Sequence, residues 1–341
     1  MSLMLDSARD CKLLYSGPVQ GESAIILLRS KLAAIATRLG FSEARRENIS
    51  LVASELVSNQ VKYAGGRGLM QIWQQPGPVL DIFALDYGPG IVNLALAQED
   101  GYSSGNTLGK GLGSIQRLSD QTHIYSQPAT LSSPRRWSGT AVLARFFQPG
   151  KKPGGNEKSV PPEFSRLDIG LFSRSLSDEQ YNGDRIYLQR KGNKLRWLHL
   201  DGLGHGEGAQ QATANLSGLL FHGETLTDTL AAVDRQLKET RGAVAIVSEA
   251  CLTSEEINML GVGDMHAHVI ASDEMSNLSF APGVLGREHK VALPFQWRCG
   301  KSCLVVTASD GIRRNWDISN FPGLFNLHPQ LIAYVLGNIM G

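Results

Sequence analysis

Leu28, Leu32, Ile35 and Leu39 recur at three- and four-residue spacing and are followed by Gly40. That period gathers them on one side of a helix, and the glycine offers a left-handed stop, so a helix is predicted over about residues 23–39. A second helix, capped by Ser42, is predicted to about residue 64, with Ile49, Val52, Ala53 and Leu56 inward and Gly65-Gly66 ending it. The rhythm then changes. Residues 69–75, 79–85, 122–126 and 140–147 are short runs of β-branched, aromatic and aliphatic residues divided by turn signals, and are predicted strands. Helices over one face of a mostly antiparallel sheet follow from this order.

Residues 148–163, QPGKKPGGNEKSVPPE, hold proline, glycine and charge but almost nothing apolar, so they are predicted to link two unlike domains, 1–147 and 164–341. Beyond them, runs at 185–189 and 195–200 flank Lys191-Gly192-Asn193 as a hairpin. Helical patterns follow at about 208–221 and 225–240, and further strands at 243–247, 267–271 and 303–308. The expected class is α+β.

Composition narrows the function. Lysine and arginine number 33 against 32 acids, 42% of the 341 residues are hydrophobic, and 37 are glycine. Disorder, collagen and a polybasic nucleic-acid arm are excluded. No stretch reaches the roughly 20 uncharged apolar residues that cross a bilayer, and Asp6 stands where a secretory segment needs cations. A soluble cytoplasmic protein is expected, with no membrane or nucleic-acid partner. Cys11, Cys251, Cys299 and Cys303 lack C-x-x-C spacing and are expected to be reduced and mostly buried.

The glycines cluster beside polar residues. Glu55 and Asn59 lie four apart on the second predicted helix, with Lys62 three further on; alone, they read first as a solvated face. After the strand at 79–85 comes Asp86-Tyr87-Gly88-Pro89-Gly90, then a loop ending Gly109-Lys110-Gly111-Leu112-Gly113, then Gly139-Thr140. In order and spacing these resemble the GHKL ATP-binding fold of gyrase, Hsp-type chaperones and histidine kinases. The strings SELVSNQVKYA, DYGPGI, EDGYSSG and GLGSIQRLSD are similar to the anti-sigma serine kinases of the RsbT switch-kinase type. The resemblance implies an N-terminal ATP-binding α/β sandwich that uses ATP and Mg²⁺. It makes Glu55 the base and Asn59 the Mg²⁺ ligand. Asp86 would accept from the adenine amino group, Gly88 and Gly90 would pass the nucleotide, Thr140 would back its pocket, and residues 109–113 with a nearby lysine would meet the phosphates. Lys110 stands where an apolar residue is expected; contact with the γ-phosphate and plain solvation are both open.

Three other motifs are set aside. Gly109-Lys110 has neither the upstream glycine nor the following Ser or Thr of a Walker loop. Gly101-Tyr102-Ser103-Ser104-Gly105 matches G-x-S-x-G but has no apolar strand before it and falls in the presumed ATP lid. A histidine kinase carries its phosphoacceptor before the nucleotide domain, whereas the first histidine here is His123.

In the second half, Asp184 opens one predicted strand, Asp201-Gly202-Leu203-Gly204-His205-Gly206 ends its hairpin partner, and Ser309-Asp310-Gly311 ends a later one. Carboxylates at strand ends suit a hard divalent ion, although each Asp-Gly alone reads as a turn. Together with DGLGHGEGAQQA, GVGD, APGVLG and TASDGI they resemble the metal-dependent PPM phosphatases, in the SpoIIE-like and RsbX-like branch. That implies a PPM-type α/β/β/α sandwich with two Mn²⁺ or Mg²⁺ ions held by Asp184, Asp201, the Gly202 carbonyl and Asp310, and hydrolysis of a phosphoserine without a protein nucleophile. His205 is open between general acid, indirect donor and packed loop residue; His266 and His268 are expected to share one side of a strand. The family's closing Asp-Asp-x-Thr strand has no counterpart before Gly341, so the domain is expected to lack it.

The combined resemblance implies a fused kinase and phosphatase acting on a STAS-domain antagonist in stress-response partner switching. Two alternatives stand beside it: an ATP-gated phosphatase, and a module that binds a sigma-factor regulator through an inactive metal domain.

Overall fold

The computed structural model describes residues 4–21, 23–77, 79–98, 111–129, 137–148, 167–175, 180–271, 274–299 and 302–341. The chain opens with β1 (Met4–Asp6), α1 (Ser7–Asp10) and β2 (Lys12–Val19), followed by α2 (Ser23–Arg38) and α3 (Glu43–Ala64). Next come β3 (Gly68–Gln75), β4 (Val79–Asp86), α4 (Leu94–Gln98), α5 (Gly111–Leu118), β5 (Gln121–Gln127) and β6 (Gly139–Phe147). Both long helices match their sequence signals. Ser42 accepts from the Arg45 N–H, and Gly65 closes α3 at φ +60°.

An antiparallel sheet of order β2-β3-β4-β6-β5 carries this half. Alternation along β4 shows why it is buried on both faces. Leu80, Ile82 and Ala84 join Leu28, Leu32, Ile49, Val52 and Leu56 under α2 and α3, whereas Phe83 and Leu85 point the other way. The strand β2 escaped notice because Gly17-Pro18 weakens a strand signal; as an edge strand pairing only with β3, it tolerates the proline.

The second half continues through β7 (Asp184–Lys191), β8 (Lys194–Gly202), α6 (Glu207–Thr213), α7 (Leu226–Leu237), β9 (Ala243–Cys251), β10 (Glu256–Val262), β11 (His266–Ala271), β12 (Glu274–Ser279), β13 (Phe295–Arg298), β14 (Leu304–Ala308) and α8 (Pro329–Ile339). The hairpin turns at Gly192, which takes φ +62°. The helix expected over 208–221 stops at Thr213, because Asn215 adopts φ +60° and only a 3₁₀ turn, Ser217–Leu219, follows. A six-stranded sheet, β1-β7-β8-β9-β10-β13, packs one face against α6 and α7 through Leu198, Leu200, Leu230 and Val233. Its other face meets the sheet β12-β11-β14 through Val244, Ile246, Ala267 and Val269. With α8 outside that small sheet, the half is the expected α/β/β/α sandwich.

The two halves are not simply strung on a linker. Met4–Asp6, within the range assigned to the first domain, pairs with Tyr187–Gln189 of the second half's sheet. More extensively, α8 lies between the two halves. Leu331, Ile332, Tyr334, Val335 and Leu336 form one apolar cluster with Trp73, Phe83, Leu85, Tyr125 and Leu143 from the open face of the first sheet. No described helix is long and apolar enough to cross a membrane.

Candidate functional sites

At the nucleotide-site candidate, α3 presents half-buried Glu55 and Asn59 one turn apart. The N-terminus of α5 comes down on this pair. A Cβ at Gly111 would press on the Glu55 carboxylate at 3.3 Å and on the Asn59 amide at 3.4 Å. A glycine there leaves the first-turn N–H groups of α5 next to both side chains, an arrangement that favours an anion. Leu112 and Gly113 continue α5, with Gly113 buried. Lys62, also on α3, is exposed to solvent. Gly109 and Lys110 lie outside the described residues.

Asp86, at the end of β4, anchors the other side. Its Oδ1 accepts from the Gly88 N–H at 2.8 Å and the Thr140 N–H at 3.1 Å. Burial raises the Asp86 carboxyl above the ordinary range, while these two hydrogen bonds and the Arg67 charge draw it back. Packing is close: a side chain at Gly139, φ +150°, would collide with the Asp86 carbonyl oxygen, and one at Gly88 would meet Ala64. Gly90 takes φ +73° against the backbone of Gln127 and Pro128. The Thr140 hydroxyl bonds Ser126 at 3.0 Å, and the Ser126 hydroxyl accepts from the Ile91 N–H. Two supports were not anticipated. Trp137 Nε1 donates to the Asp86 carbonyl, and Gln60 Nε2 donates to the carbonyls of Leu69 and Leu85, tying α3 to β3 and β4. A glutamine inside a helix gives no local sign of such a tie.

At the metal-site candidate, register brings Asp184 and Asp201 opposite each other on β7 and β8, with their carboxyls hydrogen-bonded together. The Ser309 hydroxyl donates to Asp184 Oδ2 at 2.9 Å, and the Asp184 N–H donates to Asn182 Oδ1. Burial pushes the Asp201 carboxyl up to about 8, reinforced by the charges of Asp184, Asp310 and Asp264. Asp184 is raised as well, by burial and then by Asp310 against the Ser309 hydrogen bond. Crowded carboxylates that resist ionising together are a donor set suited to a divalent cation, although no three His, Cys, Asp or Glu side chains among the described residues close on one point. Gly202 is pressed on the Ala209 carbonyl, so this strand end admits no side chain. Asp310 is exposed, as is His205, whose carbonyl accepts from Arg241.

His266 and His268 do share a side of β11, with rings 5.1 Å apart; burial lowers His266 to about 4 and also lowers His268, against its hydrogen bond with Asn277. All four cysteines are free thiols of intermediate exposure, more accessible than expected.

A histidine kinase-like ATPase domain model matches residues 22–132, spanning both Glu55-Asn59 and Asp86-Gly90. The serine/threonine-protein kinase RsbT of Bacillus subtilis is 34% identical over 110 residues, 32% of this chain and 83% of that protein. Among solved structures, the PP2C phosphatase domain of the cell-fate determinant SpoIIE from Bacillus subtilis matches 93% of this chain and 88% of its own, at 14% identity and a TM-score of 0.43. RsbX in complex with magnesium matches 49% of this chain and 86% of its own, at 17% identity and a TM-score of 0.40. On the strength of the first two, with their residues placed as described, the chain belongs to the family of RsbT-type serine/threonine-protein kinases, built on a histidine kinase-like ATPase domain.

Proposed function

We propose that the protein is a bifunctional partner-switching regulator. Its first half transfers phosphate from ATP to a serine or threonine of a STAS-domain antagonist, and its second half removes that phosphate. The observation that carries the first activity is the seating of the α5 N-terminus on Glu55 and Asn59, which sets a carboxylate and an amide beside the start of a helix. Glu55 takes the proton of the attacking hydroxyl, Asn59 would hold Mg²⁺, and Asp86 accepts from the adenine amino group. Gly88, Gly90 and Thr140 shape the base pocket, while the α5 N-terminus with Lys62 and Lys110 neutralises phosphate. Phosphoryl transfer asks mainly for such positioning, with Mg²⁺ spreading the developing charge.

For the second activity, the carrying observation is the carboxylate crowd at Asp184, Asp201 and Asp310, joined by the Gly202 carbonyl. Two Mn²⁺ or Mg²⁺ ions held there would supply Lewis acidity for phosphoserine hydrolysis. The chain's own residues fix the geometry: Ser309 and Asn182 hold Asp184, and Gly202 lets the strand end lie flat on α6.

Both activities are tested by incubating the protein with a recombinant STAS-domain protein and following its intact mass. ATP with Mg²⁺ should add one phosphate, and Mn²⁺ without ATP should remove it; no added mass at any ratio refutes the kinase. Asp201→Ala should abolish Mn²⁺-dependent release, and unchanged release would move the phosphatase site elsewhere. The helix shared between the halves favours, as the second reading, a phosphatase gated by nucleotide. Its mark would be a release rate that depends on ATP with no phosphotransfer.

A further inference from the structure

Two polar side chains of α8, Tyr334 and Asn338, reach across to the first sheet. The Tyr334 hydroxyl accepts from Gln75 Nε2 at 2.7 Å and donates to Asp81 Oδ2 at 3.1 Å; Asp81 is fully buried and paired bidentately with Arg145 at 2.7 and 2.8 Å. One turn on, Asn338 exchanges two hydrogen bonds with Gln71, at 2.9 and 3.2 Å. Tyr334 stacks on Trp73 and tilts against Phe83, so that face of the helix is held by shape and hydrogen bonds together.

The C-terminal end of the same helix, just past Asn338, holds the metal loop. The Arg313 N–H donates to the Met340 carbonyl at 2.9 Å, and its guanidinium reaches the Ile339 carbonyl at 3.4 Å. Between Arg313 and β14 lie only Ser309, which fixes Asp184, the Asp310 carboxylate, Gly311 and Ile312, turned by the Ile312 N–H on the Ser309 carbonyl. The path from Gln71 to Asp310 thus runs through the last turn of one helix, where Asn338 meets the sheet and Ile339 and Met340 meet the loop.

We propose that the ATP-site sheet is a structural part of the metal site. Tyr334 and Asn338, seated on Asp81, Gln75 and Gln71, are positioning residues for the Asp310 loop, an inference that rests on the phosphatase reading for its consequence. None of these residues is among the candidate nucleotide- or metal-site residues. A change on the first sheet is therefore transmitted as a change in how well the second half holds its ions.

The test is amide exchange of the full chain by mass spectrometry, with calorimetric Mn²⁺ titration alongside. Gln71→Leu leaves Asn338 without its partner in a half-buried interface. Residues 309–313 should then exchange about tenfold faster, and the Mn²⁺ dissociation constant should rise about tenfold, as for residues that orient metal ligands indirectly. Adding Asn338→Leu replaces both partners of that contact by apolar groups and should bring both readings part of the way back, the Trp73 N–H still lacking the Gln71 oxygen. Tyr334→Phe, which removes one hydroxyl, should move them in the same direction and serves if Gln71→Leu does not fold. Faster exchange in α8 with unchanged exchange at 309–313 and unchanged Mn²⁺ affinity would overturn the proposal. If the unaltered chain takes up no Mn²⁺, the metal reading fails by itself, and exchange at 309–313 still decides whether the sheet holds the loop.

Discussion

Glu55 and Gly139 place opposite demands on substitution. Glu55 is half-buried with its carboxylate beside the α5 N-terminus, so Glu55→Gln keeps size and hydrogen bonding while removing the base. Phosphotransfer should fall by roughly 10²- to 10⁴-fold with nucleotide affinity nearly unchanged, measured by intact mass and a fluorescent ATP analogue. Gly139 instead carries a backbone conformation, φ +150°, in which a methyl group would meet the Asp86 carbonyl. Gly139→Ala should cost about 1–3 kcal/mol of stability and weaken nucleotide binding, because the strain falls on the backbone of Asp86, the proposed adenine contact; urea titration checks the first part. Helix spacing and a glycine opening a strand marked these positions, but spacing alone also fits a solvated face, and their roles came from the family resemblance. Nothing marked Trp137, since an indole bonding a carbonyl 51 residues away leaves no trace in local spacing.

Between elements, the second half is tied by a buried charge. Arg196 on β8 bonds Glu249 on β9 at 3.0 Å, Thr229 on α7 at 2.9 Å, and the carbonyls of Leu220 and Glu224 before that helix. One guanidinium thereby joins two strands to the helix covering them, with all its donors turned to fixed acceptors. Arg196→Met should destabilise the protein by about 1–3 kcal/mol, because Glu249 is left with the partly exposed Lys194 and the Glu224 carbonyl loses the guanidinium. The double change with Glu249→Leu should recover much of it; denaturant midpoints of the three variants decide. Element types were readable wherever the period was clean, as in α2, α3 and the hairpin that brings Asp184 opposite Asp201. Where the chain needed an unusual backbone, as at Asn215, the pattern continued past the true end of the helix.

At the scale of the molecule, the seat of α8 was hidden from the sequence. Asp81 lies in an apolar strand and Tyr334 lies in an apolar helix 253 residues away, so neither shows its partner through local period. Their interface also gathers two histidines, His123 on β5 and His328 at the start of α8, with rings 4.6 Å apart. Burial, the His328 ring and Arg145 lower His123 from 6.5 to about 4, against a smaller pull from Asp168; burial and then Arg145 lower His328, against Asp168 and Asp81. Both rings are therefore neutral when the halves are docked. Their folded-state affinity for protons is below that of the unfolded chain, so this pair leaves stability level above pH 6.5 and takes it away as pH falls from 6.5 toward 4. His199 and His266 are lowered to about 4 as well and steepen the same fall, so the difference between variants isolates the pair. His123→Asn should flatten the loss of melting temperature between pH 6.5 and 4.5. It should also keep the exchange protection of α8 at pH 5, where the unaltered chain loses it first, because proton uptake at His123 below pH 6.5 favours the state in which the helix has left its sheet. An identical pH slope in the variant would place the acid response away from this interface.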